Sequence, residues 1–133
     1  MTTYLHSELT REIIACFYHV YNQLGYGFLE KVYENAMSYE LRKRGLAVVQ
    51  QAPISVWYDG QRVGEYYADI LVEDKVLLEL KSTNYLADEH MAQLLNYLKA
   101  TGREIGLLLN FGPKPEIRRK VFQTARVLSA SEA

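Results

Sequence analysis

Hydrophobic positions along the chain follow two periods, and the switch between them divides the sequence. Across residues 7–24, SELTREIIACFYHVYNQL, the residues Leu9, Ile13, Phe17, Val20 and Leu24 recur every three or four positions, as on one helical face. Ser7 is a candidate cap, Glu8 suits the positive end of the helix dipole, and Gly25 and Gly27 end the helix. A second helix is predicted over about 29–44, with Val32, Tyr33, Ala36, Met37 and Leu41 as its inner stripe. Basic residues fill its last turn, and Gly45 supplies a left-handed cap.

The period then shortens. AVVQQAPISVWYDGQRVGEYYADILVEDKVLLELKS is rich in β-branched and aromatic residues, and Asp59-Gly60 is a strong hairpin signal between strands near 48–58 and 61–73. Another turn falls at Glu73-Asp74-Lys75, and a third strand runs to Lys81. LADEHMAQLLNYLKATG restores the helical period at about 87–101, with Met91, Leu94, Leu95 and Leu98 inward. EIGLLLNFG reads as a buried strand. Residues 116–122 fit either an edge strand or the start of a helix, and the last residues read as a frayed tail. The expected fold is α/β: a central mixed sheet, with an antiparallel meander plus one parallel strand, flanked by helices. A right-handed crossover through the third helix would set strand 104–110 parallel to strand 75–81.

Chemistry enters through the register of the second hairpin. A three-residue loop centred on Asp74 sets Asp69 opposite Glu79, with side chains starting ~4.5–5.5 Å apart. Ile70, Val72, Val76, Leu78 and Leu80 then share the other, core-facing side, so a slip of one residue would invert every side chain. Lys81, two residues beyond Glu79, points the same way. Two converging carboxylates repel unless a cation separates them, and they suit a hard ion such as Mg²⁺ or Mn²⁺. A nearby ammonium can hold a water or counter charge on a phosphate. The plainer reading is an exposed charged ladder in which Lys81 pairs with the acids. Glu30 stands one turn before Tyr33, at the edge of the inner stripe, and can lean over the sheet. Gln93 and Tyr97 share one face of the third helix.

The motif Gly27-x-x-Glu30-x-x-Tyr33 resembles the signature of the GxxExxY family of bacteria and archaea, and the similarity continues through ADILVEDKVLLELKS, AQLLNYL and LLLNFG, over roughly 8–122. That family in turn is similar to the PD-(D/E)xK nuclease superfamily, with its restriction-endonuclease-like core. The resemblance implies that Asp69 is the motif aspartate, Glu79 the second acid and Lys81 the motif lysine. It implies Glu30 as the acid of the first core helix, and the Leu80 carbonyl as a further metal ligand. It also implies that Gln93 and Tyr97 form the QxxxY element of RecB-like and lambda-exonuclease-like members, beside the active site and against the DNA strand. Ala68 replaces the usual proline, the histidine position of RecB-like enzymes has no clear match, and cysteines for an iron–sulfur cluster are absent.

Composition changes little of this. The 133 residues fit one domain, and 49% apolar with 23% charged residues are ordinary for a soluble globular protein. A net charge of −1 gives no global basic field, so RKR at 42–44 and KPEIRRK at 114–120 would have to supply phosphate-binding surface. The single cysteine, Cys16, falls among core positions. No signal peptide or membrane-spanning run is visible, which makes a cytoplasmic protein the expectation. The sequence thus predicts a Mg²⁺- or Mn²⁺-dependent phosphodiesterase acting on nucleic acid, DNA before RNA, through metal-activated water. The alternative is a catalytically silent nuclease-fold module that binds nucleic acid or protein. So short a chain is compatible with a homo-oligomer or a protein partner.

Overall fold

The computed structural model describes residues 6–122, and the tail read as frayed lies outside them. Eight elements follow in the order α1 (Ser7–Leu24), α2 (Glu30–Lys43), β1 (Val48–Tyr58), β2 (Gln61–Val72), β3 (Val76–Lys81), α3 (Asp88–Thr101), β4 (Ile105–Phe111) and β5 (Pro115–Val121). The strands form a five-stranded sheet in chain order. All neighbours are antiparallel except β3 and β4, which run parallel as the crossover through α3 requires. The ambiguous segment near 116–122 is the edge strand β5. Among the described residues no helix is long and apolar enough to cross a membrane.

Both hairpins form where turn chemistry places them. Asp59 and Gly60 each adopt positive φ (53° and 76°), giving the two-residue turn whose twist matches its strands. Glu73 and Asp74 are also left-handed, and Lys75 N–H donates to the Val72 carbonyl at 3.0 Å. The β2–β3 register is therefore the expected one: Val72 faces Val76, Leu71 faces Leu77, and Ile70 faces Leu78.

Three local expectations need correction. The residue before α1 is His6, in the left-handed region (φ 52°), and no side chain caps the helix; Ser7 is already helical. Val32 is exposed on α2, whose buried positions are Tyr33, Glu34, Met37, Ser38 and Leu41. The sheet is also covered on both faces, not one. Ile70, Val72, Val76, Leu78 and Leu80 pack with Phe17, Tyr33 and Met37 beneath α1 and α2. Leu77, Ala68, Ala52 and Ile54 pack with Leu94, Tyr97 and Leu98 of α3. The face carrying Glu79 is therefore interior, and an exposed charged ladder is excluded: Glu79 is only 6% exposed.

Two cores impose a change of face along β1 and β2. Ile70 and Val72 point to the α1–α2 side, whereas Ala68 and Tyr66, of the same parity, point to α3. Strict alternation would keep all four on one face. The inversion falls where the β1–β2 pairing skips Gln51 and Asp69. Gln51 has φ 51°, an uncommon value for a residue with a Cβ, and its side chain joins that of Gln50 on the α2 side. Asp69 thus sits at a break in the strand.

Candidate active site

The break is where chemistry-bearing side chains meet. The β2–β3 ladder ends at Ile70 and Leu78. One residue further, the carboxylates take over from the backbone carbonyls. Asp69 N–H donates to Glu79 Oε1 at 3.1 Å, and Leu80 N–H donates to Asp69 Oδ2 at 2.8 Å. Each acid thus accepts an N–H of the opposing strand, which holds the fork open and fixes both side chains at its mouth. The second oxygen of each carboxylate accepts no hydrogen bond among the described residues.

Electrostatics at the fork are unfavourable for two anions. Burial, followed by the charge of Asp69, pushes the Glu79 carboxyl from its ordinary 4.5 up to about 8, against the pull of the Asp69 N–H and the Lys81 ammonium. Burial also raises Asp69, opposed by the Leu80 N–H bond, with Glu34 adding to the rise and Lys81 lowering it. Lys81 is only partly buried and, among the described residues, forms no hydrogen bond or ion pair with either acid. The acids therefore lack a partner that would neutralise them directly. Two oxygen-donor side chains at an open fork, destabilised as anions, fit a hard divalent cation. Among the described residues, no three His, Cys, Asp or Glu side chains stand in ready ligand geometry.

The other predicted residues approach from the two helical layers. Glu30 opens α2 and is exposed; its charge raises both Asp69 and Glu79. Gly25, Gly27 and Tyr33 explain its position. Tyr33 lies flat on Phe111, with ring centroids 4.2 Å apart and planes 15° from parallel. Its hydroxyl donates to the Gly25 carbonyl at 2.6 Å and accepts the Phe28 N–H at 3.1 Å. Gly25 and Gly27, with φ of 70° and 121°, make the turn that these bonds hold. From α3, Gln93 Nε2 donates to the Tyr97 hydroxyl at 2.9 Å. Tyr97 is buried in the cluster that holds Ala68, the residue before Asp69, and its hydroxyl is raised first by burial and next by the charge of Glu79. The Leu80 side chain is in the α1–α2 core, while its N–H serves Asp69.

Two features escaped the sequence reading. Glu34, one turn after Glu30, is a buried acid gripped by three donors: Lys31 Nζ at 2.9 Å, Gln50 Nε2 at 2.8 Å and Gln51 Nε2 at 2.7 Å. It clamps the β1 kink opposite Asp69. Its signal was the Gln50-Gln51 pair in an otherwise apolar strand. The second is Asn110, fully buried and level with Lys81 in the β3–β4 register. Its side chain accepts the Thr83 N–H at 2.9 Å and donates to the Thr83 carbonyl at 3.0 Å, so it secures the chain just past Lys81. Of the two basic runs, Arg44 is spent on Glu40 and Glu12, and Arg118 leans on Glu116.

A family model of the PD-(D/E)XK nuclease superfamily matches residues 7–120. The chain belongs to this superfamily. The chain is similar to the crystal structure of SSO0001, with a TM-score of 0.54 and 16% identity, over 77% of this chain and 55% of that one. It is also similar to an alkaline exonuclease from Laribacter hongkongensis, with a TM-score of 0.52 and 14% identity, over 77% and 60%. At these identities the likeness is one of fold, the α/β restriction-endonuclease-like core of PD-(D/E)XK nucleases. The chain spans little more than half the length of these two proteins. No curated protein matches.

Proposed function

We propose that this member of the superfamily is a divalent-cation-dependent phosphodiesterase that cleaves DNA. The observation that carries the reading is the fork itself: the half-buried Asp69 and the buried Glu79, both disfavoured as anions, with a Lys81 ammonium that pairs with neither acid among the described residues. Asp69 and Glu79 would hold Mg²⁺ or Mn²⁺, with Glu30 completing the acidic set from α2 and the Leu80 carbonyl as a further donor. A cation bound there supplies positive charge against the phosphate and makes a water more acidic. Lys81 orients the attacking water and offsets charge developing on the phosphate. Gln93 and Tyr97 position the strand being cut. The relatives' length leaves room for a partner or a second copy to extend the grip on DNA, and the described fold is read as one catalytic domain in a cytoplasmic protein.

The test is a cleavage assay on the purified chain with Mg²⁺, with Mn²⁺ and with chelator. The parent should cut only with the cation, and Asp69→Asn should not cut while keeping the parent's circular dichroism. An Asp69→Asn protein that cleaves as fast as the parent would show that the chemistry lies elsewhere.

A second reading, a nuclease-fold module that binds without cutting, draws on one observation: no three acids stand in ready ligand geometry among the described residues. Calorimetric titration with Mn²⁺ separates the two. Saturable binding abolished by Asp69→Asn favours the enzyme, and no heat at millimolar Mn²⁺ favours the module.

A further inference from the structure

Between the β1–β2 hairpin and the outer face of α3 lies a groove of about 830 Å³. Val56, Trp57 and Tyr66 form one wall, and Gln93, Asn96 and Tyr97 form the other. Trp57 is 63% exposed and Tyr66 49%, and the Tyr66 ring leans on that of Tyr97, with centroids 5.6 Å apart. Two large rings left open to solvent are costly unless something covers them. The bulge at Val56 and Trp57 breaks the hairpin's pairing register beside this wall.

The chemistry of the lining says what would cover it. Its charged side chains include one acid, Glu89, and one base, Lys99, so their formal charges cancel and the groove is not built to grip phosphate. Aromatic faces with side-chain amides alongside suit a flat heteroaromatic ring that carries its own donors and acceptors. The groove adjoins the acids through α3, because Tyr97 belongs to its wall and is buried in the same cluster as Ala68, the residue before Asp69. A strand whose phosphate lies at the fork therefore has its neighbouring bases within the reach of this groove. A base inside a duplex has both faces stacked and cannot lie on Tyr66.

We propose that this groove is a nucleobase site that takes an unstacked base of single-stranded nucleic acid next to the phosphate at the acids, with Tyr66 and Trp57 stacking and Asn96 reading the base edge. The ligand's source rests on the nuclease reading, while the site itself does not depend on cleavage. It directs the enzyme to single strands, frayed ends or displaced strands rather than to continuous duplex.

Trp57 is the chain's sole tryptophan, so its emission reports occupancy directly. The experiment uses the full chain carrying Asp69→Asn, in chelator, titrated with a thymidine 12-mer, the same 12-mer paired with its complement, an abasic 12-mer and thymidine monophosphate. The single strand should quench Trp57 saturably, at a concentration at least tenfold below that needed for the duplex or the abasic strand. The mononucleotide should quench weakly, since it lacks the neighbouring phosphates; quenching as tight as the strand's would reassign the groove to free nucleotides and overturn the proposal. Tyr66→Ala and Asn96→Ala, both at the surface, should each weaken binding of the single strand, Tyr66→Ala by about tenfold. Equal quenching by duplex and abasic strands, or unchanged binding in both variants, would also overturn it. The two readings fail separately: cation-dependent cleavage by the parent without Trp57 quenching leaves the nuclease and removes the base site, and quenching without cleavage does the reverse.

Discussion

At the scale of single residues, Glu79 carries the largest cost and the sharpest test. Its carboxyl titrates near 8 in the folded chain and near 4.5 when unfolded, so between those values the folded state holds a proton that the unfolded state has lost. Stability contributed by the protonated acid is complete below pH 4.5 and is lost as pH rises toward 8. Glu79→Gln keeps an acceptor for the Asp69 N–H and removes the titration. It should raise metal-free stability at pH 7–8 by on the order of 2–3 kcal/mol, and change nothing at pH 4, as read by denaturant unfolding at both values. A gain that is equal at the two pH values would mean that the charge at Glu79 is not its source. Lys81 gives the opposite signature. Lys81→Ala should lower the cleavage rate by about a hundredfold or more while the chain keeps the parent's circular dichroism, because its ammonium forms no hydrogen bond or ion pair with either acid among the described residues. Strand parity singles out Asp69, Glu79 and Lys81, and the spacing of two helices singles out Glu30, Gln93 and Tyr97, whereas the roles proposed for them come from the resemblance. Glu34 was not legible: a glutamate one turn from another is common on a helix, and only the fold shows that three donors enclose it.

At the scale of elements, the hairpin loops and the helical periods were readable because they are local. Asp59-Gly60 carries its own turn geometry, and apolar spacing on α1 and α3 shows before any partner is known. The kink in β1 and β2 is not local. Alternation predicts one buried face, but a sheet covered by α1 and α2 on one side and by α3 on the other needs both faces of β2, and Gln51 and Asp69 absorb the switch. The tie across the far ends of β3 and β4 belongs to the same scale. Asn110→Ala would leave the Thr83 N–H and carbonyl without their present partner and free the segment that follows Lys81. Thermal unfolding should show a loss of about 2 kcal/mol, and the cleavage rate should fall although Asn110 does not reach the acids. Gly112→Ala should loosen the same corner, since a Cβ there would lie 2.3 Å from the Thr83 carbonyl oxygen. A variant at Asn110 that melts early yet cuts at the parental rate would separate the tie from the position of Lys81.

At the scale of the whole molecule, the acids are held apart from their ideal solvation by two cores, and a cation is the natural relief. Mn²⁺ at a hundredfold excess over its dissociation constant should stabilise the chain by about 2.7 kcal/mol. The shift should be visible as a higher melting temperature and should vanish in Asp69→Asn. Magnesium that raises the melting temperature of parent and Asp69→Asn alike would place binding at some other site. The sequence by itself determined the order of elements as far as the fourth strand, the hairpin register and the residues that could carry charge chemistry, because each depends on neighbours a few positions away along the chain. Tertiary structure alone decided that Glu79 is interior, that β2 changes face at Asp69, that Glu34 braces the kink and that Trp57 and Tyr66 frame a groove with α3. Those outcomes depend on which surfaces pack across the sheet, and packing brings together residues whose separation along the chain carries no periodic signal.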